Sequence, residues 1–171
     1  MIDLPDAILV TDTSVLVNFL RIDRMELLGG LPYRFLVTDH AASELTDFYP
    51  EQVERYEAAL AIGYVEACTV TDEAALDIFG RLTGTTRLGV GESATIAHAI
   101  VTGAGVAIDD RRAINEAKRI AEGLAIIRTA DLMVRLIKRA MLTVEEADAI
   151  KDDWAANHRF RIPVASFSEM M

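Results

Sequence analysis

Five short apolar runs punctuate the chain: Ala7-Ile8-Leu9-Val10, Arg34-Phe35-Leu36-Val37, Tyr64-Val65-Glu66-Ala67, Gly105-Val106-Ala107-Ile108 and Leu124-Ala125-Ile126-Ile127. Each ends in turn or cap residues, and each predicts a buried strand. Between them, helical periodicity covers residues 50–62, 72–82, 92–101 and 111–121. This alternation predicts an α/β domain, a parallel sheet covered by helices on both faces. Beyond Arg128 the pattern is helical only, over 131–141 and then 143–157. The second segment opens with Thr143 and carries Glu146 three residues later, the signature of a capping box. The reading therefore places an α/β domain over residues 1–140 and a helical extension over 141–171 packed on the same domain, with no low-complexity linker and no repeat.

Composition narrows the function classes. With 171 residues, 51% of them hydrophobic, the chain can bury one sizeable core. One cysteine, Cys68, and three histidines exclude an intrachain disulfide and a zinc site of ordinary spacing. The first residues carry acids where a signal peptide carries lysine or arginine, and no apolar run reaches the ~18 residues of a membrane span, so the expected location is cytoplasmic, without a membrane partner. The net charge of -10 is the wrong sign for holding nucleic acid by phosphate neutralisation alone. Excess acid gathered in one place instead suits a divalent cation, which inverts the local charge.

Ligands of an open parallel sheet bind at the carboxyl ends of its strands. The acids to weigh there are Asp12 after the first run, Asp109 and Asp110 after the fourth, Glu44, expected about one and a half turns into the helix after the second, and Glu92, expected to open its helix. Two carboxylates ~4 Å apart repel by about 4 kcal/mol at an effective dielectric near 20, so a cluster needs a cation. Each acid also has a plainer reading. Asp12 suits a helix N-cap, Glu44 a solvated helix face and Glu92 the positive end of a helix dipole, while one of Asp109 and Asp110 suits a cap. The tripeptide Val-Thr-Asp, repeated at 10–12, 37–39 and 70–72, reads as strand end plus cap, most clearly at Asp72.

In order along the chain, Val10-Thr11-Asp12-Thr13-Ser14-Val15-Leu16, Asp39-His40-Ala41-Ala42-Ser43-Glu44-Leu45, Leu88-Gly89-Val90-Gly91-Glu92-Ser93-Ala94 and Ile108-Asp109-Asp110-Arg111-Arg112-Ala113 resemble the four motifs of the PIN-domain family, which includes the VapC-type toxin ribonucleases. The resemblance runs from residue 7 to about 140, and the longer tail is similar to that of one branch of the family. It implies a three-layer sandwich with a central five-stranded parallel sheet, plus a C-terminal helical pair. It further implies a metal-dependent endoribonuclease in which Asp12, Glu44, Glu92 and Asp110 hold Mg²⁺ or Mn²⁺, with Asp109 supplementing or replacing Asp110. Hydrolysis of an RNA phosphodiester would leave a 5′-phosphate and a 3′-hydroxyl. Ser14 matches a hydroxyl position that orients Asp12 or a metal-bound water, its alternative being a helix N-cap; Asn18 is a further contact to the same site or a surface or capping amide. Arg111 and Arg112 are the candidates for RNA phosphates, whereas Arg135, Lys138 and Arg139 have the i, i+3, i+4 spacing of a solvated face. The expected partners are an RNA substrate, a second copy in a homodimer and a cognate antitoxin.

Two other classes compete. A catalytically inactive PIN scaffold, serving as a nucleic-acid or protein-binding regulatory module, accords with the negative charge and the extended tail. A phosphotransferase is disfavoured because Asp12-Thr13-Ser14 lacks the second aspartate of Asp-x-Asp and no P-loop is present. Side-chain nucleophiles are poor, since Cys68 has no evident histidine partner and His40, His98 and His158 read as packing, surface or helix-end residues.

Overall fold

Strand β1 (Ala7–Thr11) shows how the layers arise. Successive side chains of a strand point to opposite faces, and here Leu9 enters one apolar cluster while Val10 enters another. In the computed structural model, which describes residues 7–45 and 49–171, β1 is the centre of a five-stranded, all-parallel sheet in the order β3-β2-β1-β4-β5. The other strands are β2 (Tyr33–Thr38), β3 (Glu66–Cys68), β4 (Gly105–Ala107) and β5 (Ile126–Ile127). Ala7 pairs with Tyr33 on one side of β1 and Leu9 with Gly105 on the other. The chain thus reverses its direction of strand addition between β1 and β4, the switch point where open α/β sheets place their sites.

The first helices are α1 (Thr13–Arg21), α2 (Glu26–Gly29), α3 (Asp39–Ala42), α4 (Pro50–Ile62), α5 (Glu73–Thr85) and α6 (Val90–Thr102). They are followed by α7 (Arg111–Ile120), α8 (Thr129–Lys138), α9 (Val144–Asn157) and a short 3-10 turn at Phe167–Met170. One cluster joins Leu9 and Phe35 of the sheet to residues of α1, α2, α4, α8 and α9; Trp154 and Phe167 lie wholly inside it. The second joins Val10, Val106 and Ile108 to α6 and α7 through Ile96, Ala99, Ala113 and Ala117. The result is the expected three-layer α/β arrangement, with the helical pair α8 and α9 at its C-terminal end. Among the described residues, no helix is long and apolar enough to cross a membrane.

Several local expectations need correction. The third apolar run was expected to be a buried strand over 64–67, but only Glu66–Cys68 pairs with β2, and this edge strand faces solvent. Val65 is buried just ahead of it, so apolar character marks the approach to the edge rather than the edge itself. There Arg34 grips Glu66 through two hydrogen bonds of 2.9 and 2.7 Å, the kind of polar cover that discourages a sheet edge from pairing further. Glu44 does not lie inside a helix. α3 stops at Ala42, and Glu44 N–H and Leu45 N–H reach back only three residues, to Ala41 O and Ala42 O, which turns the chain. The helix holding Glu92 begins two residues earlier than expected, so Glu92 occupies its third position. The helix expected over 131–141 runs instead from Thr129 to Lys138, after a fifth strand of only two residues.

Candidate active site

Asp12 ends β1 and caps α1: its Oδ2 accepts from Ser14 N–H at 3.0 Å and from Ser14 Oγ–H at 2.5 Å. The carboxylate is 2% exposed, and its Oδ1 is buried without a hydrogen-bond partner. Burial pushes its pKa up to about 6; the Ser14 bonds oppose this, and the negative charges of Glu92 and Glu44 add to it. The plain reading of Asp12 as a cap is met through Oδ2, which leaves Oδ1 outside the cap. Ser14 is the orienting hydroxyl rather than the cap itself.

Glu44 arrives from the turn after α3, where its Oε1 accepts from Gly91 N–H at 2.9 Å. This approach depends on glycine, since a Cβ at Gly91 would lie 2.5 Å from that oxygen. Glu92 sits one residue on in the first turn of α6 and folds back so that its Oε2 accepts from Gly89 N–H at 2.8 Å. Burial raises its pKa; the Gly89 bond works against this, and the charges of Asp110 and Glu44 add to the rise. Asp110 follows β4 and caps α7, its Oδ1 accepting from Arg112 N–H and Ala113 N–H at 2.8 and 3.0 Å.

These four acids share a pattern. Each commits one oxygen to nearby N–H groups, and the other accepts no hydrogen bond from the described residues. Asp109 differs. Its Oδ1 accepts from Thr129 N–H at 2.9 Å, and its Oδ2 accepts from Thr129 Oγ–H at 2.5 Å and from Asn18 Nδ2–H at 3.2 Å. Both oxygens are engaged, in a direction that ties β4 to the start of α8. Burial raises the Asp109 pKa, against the Thr129 hydrogen bonds. Among the described residues, no three acidic, histidine or cysteine side chains close around one point as a finished metal cage. The acids are gathered within electrostatic reach of one another, with their free oxygens available.

Asn18 corrects the expectation of a surface amide. It is 2% exposed, donates to Asp109 and to Thr129 Oγ at 3.2 Å, and its backbone oxygen accepts from Trp154 Nε1–H at 2.8 Å. Thr129 was missed. It follows β5 as Asp12 follows β1, and extending the search at strand ends from acids to hydroxyls finds it. Arg111 and Arg112 are exposed in the first turn of α7, and Arg112 Nε lies 3.9 Å from Asp110 Oδ1. Cys68, at the end of β3, has its thiol pKa pushed up to about 11 by burial and by Asp39, which makes it a poor nucleophile. His40 packs against Phe79, and His158 lies 3.5 Å from Asp153 at the end of α9.

A three-layer α/β fold with acids at the carboxyl ends of its central strands defines the class. Residues 8–171 match the model of the PIN domain, and the chain belongs to that family. No curated protein matches it significantly in sequence. Among solved structures, it is similar to a chain in the crystal structure of VapBC2 from Rickettsia felis bound to a DNA fragment from their promoter, at 16% identity and a TM-score of 0.51, covering 71% of this chain and 98% of that one. The likeness is one of fold.

Proposed function

We propose that this protein is a metal-dependent endoribonuclease, and that it acts as the toxin of a toxin-antitoxin pair, in keeping with membership of the PIN-domain family and a fold shared with a VapBC2 chain. The observation that carries the enzymatic reading is the division of labour within the acids: among the described residues, Asp12, Glu44, Glu92 and Asp110 each keep one oxygen free of hydrogen bonds, and that of Asp12 is buried without a partner. An all-oxygen donor set with mutual repulsion fits a hard divalent ion. Bound there, Mg²⁺ or Mn²⁺ would supply charge stabilisation at a phosphoryl oxygen and lower the pKa of water.

The chain's own groups prepare the site. Ser14 holds Asp12 by one oxygen so that the other is presented, Gly91 admits Glu44, and the Gly89 N–H fixes Glu92. Asp109 acts as a positioning residue through Thr129 and Asn18, while Asp110 is the fourth ligand. Arg111 and Arg112 flank the site from α7 and receive phosphates of the RNA strand. A homodimer and an antitoxin that covers the acids complete the proposal.

The test is cleavage of a mixed single-stranded RNA pool in Mn²⁺, Mg²⁺ or EDTA, by wild-type protein and by the double variant Glu92→Gln, Asp110→Asn. Cleavage in metal that is absent in EDTA and lost in the variant is expected. Equal cleavage by the variant, or none by antitoxin-free wild type in either metal, overturns the reading in favour of a binding module.

A further inference from the structure

Thr13 stands next to Asp12 and opens α1. A threonine hydroxyl in the first turn of a helix commonly bonds nearby backbone of its own segment or faces water. This one does neither: the residue is 9% exposed, and its Oγ1–H donates to Ala41 O at 2.9 Å, 28 residues along the chain. Ala41 is wholly buried in α3, a helix of only four residues that follows β2. The bond therefore joins the segment after β1, which carries Asp12, to the segment after β2, which carries Glu44.

The Ala41 carbonyl is also where the turn holding Glu44 begins. A carbonyl oxygen has two lone pairs, and this one accepts from Glu44 N–H at 3.2 Å as well as from Thr13. The Glu44 side chain then reaches Gly91 N–H at 2.9 Å, so a single peptide oxygen stands between Thr13 and the aim of that carboxylate. Other contacts anchor the turn too. Thr38 Oγ1 accepts from Ala41 N–H at 3.1 Å, and Ala42 and Leu45 pack half-buried against the larger core cluster. Apolar contact sets how deep the turn lies but is non-directional, whereas a hydrogen bond fixes direction as well as distance. Direction is needed here, because the charge of Glu44 bears on Asp12 and pushes the two segments apart.

We propose that Thr13 is a positioning residue: its hydroxyl holds the Ala41 carbonyl and, through it, the turn that aims Glu44 at the N-terminal end of α6. Asp12 and Glu44 are then set relative to one another by adjacent residues of one segment, before any ligand arrives. The hydroxyl carries this role and the methyl group of Thr13 does not. The inference rests on the metal-dependent reading for what the two acids hold; the positioning itself is a property of the metal-free chain.

The experiment is amide exchange with water, read by NMR on the full chain in EDTA. The first N–H groups of a helix have no intrahelical partner, so the Gly91 N–H answers to Glu44 and the Gly89 N–H to Glu92. Thr13→Val keeps the shape and removes the hydroxyl, Thr13→Ala removes it in a smaller side chain, and Thr13→Ser retains it; thermal melts show that the variants are folded. Exchange at Gly91 is expected to quicken at least about threefold in Thr13→Val and Thr13→Ala and to stay at the wild-type rate in Thr13→Ser, with Gly89 unchanged throughout. Unchanged exchange at Gly91, an equal rise at Gly89, or a Thr13→Ser that behaves like Thr13→Val overturns the proposal. Titration with Mn²⁺ separates it from the reading it rests on. Thr13→Val is expected to weaken Mn²⁺ binding about tenfold in the wild-type background and to add nothing in Glu44→Gln, since residues that act through one another are non-additive. Equal loss in both backgrounds overturns the proposal. A wild type that binds no Mn²⁺ defeats the metal reading alone, and the exchange rates still decide the role of Thr13.

Discussion

Asp12 concentrates the cost of the arrangement in one side chain. Its pKa of about 6 lies above the ordinary aspartate value of 3.8, so between these pH values the folded chain holds more protons than the unfolded one. Its contribution to stability is therefore most favourable below about pH 4, declines as pH rises, and is fully unfavourable above about pH 6, by on the order of 2–3 kcal/mol. Asp12→Asn retains an oxygen for Ser14 and removes the charge. We expect the metal-free variant to melt several degrees above the wild type at pH 7.5 and to converge with it near pH 4; a scanning-calorimetry series across that range checks both. Gly91→Ala is expected to dislodge Glu44, because the added methyl group would collide with its carboxylate, lowering metal-supported activity at least about tenfold with little change in the melt. These roles were unevenly legible in the sequence. Asp12, Glu92 and Asp110 stand out in the sequence because they follow strands or open a helix, Glu44 stands out through the motif it completes, and the choice between Asp109 and Asp110 stays open there because both follow β4. In the structure the two differ in their surroundings, since Asp109 has both oxygens engaged by Thr129 and Asn18.

Elements fix where these side chains can go. The three Val-Thr-Asp tripeptides all precede helices, but the cap is Asp12 in the first, Thr38 in the second and Asp72 in the third. That one-residue shift is a matter of backbone conformation, which composition does not encode, and the early end of α3 likewise places Glu44 in a turn. Helix α4, in contrast, spans the residues its periodicity predicts, and Thr143 with Glu146 forms the expected box at 3.1 and 2.8 Å. The start of α8 depends on Asp109. Thr129→Val keeps the shape but removes the hydroxyl donor from a largely buried carboxylate, and we expect it to destabilise the fold by about 1–3 kcal/mol. Urea denaturation of Thr129→Val, Asn18→Ala and the double variant should show the two effects to be coupled, as residues sharing one partner are.

Across the whole molecule, the acid site and the C-terminal helices meet in one network: Trp154 of α9 donates to Asn18, Asn18 to Asp109, and the Asp109 backbone N–H to Ser14 Oγ at 3.4 Å, beside Asp12. Trp154 and Phe167 also lie fully inside the core cluster that contains Leu9 of the central strand. A chain ending at residue 142 is therefore expected to lose cooperative unfolding and to be digested rapidly by protease, whereas an independent extension would leave the remainder folded. The alternation of strands and helices conveyed the layered architecture well; the dependence of the site on a distant tryptophan was hidden, because it rests on an indole N–H meeting a backbone oxygen 136 residues away. The central claim is that the free oxygens of Asp12, Glu44, Glu92 and Asp110 together hold a divalent cation. Isothermal titration of Mn²⁺ into metal-free protein at pH 7.5, wild type beside Asp12→Asn, tests it most directly. Saturable binding to the wild type that weakens at least about tenfold in the variant is the predicted result; no binding to the wild type, or equal binding to both proteins, would contradict it.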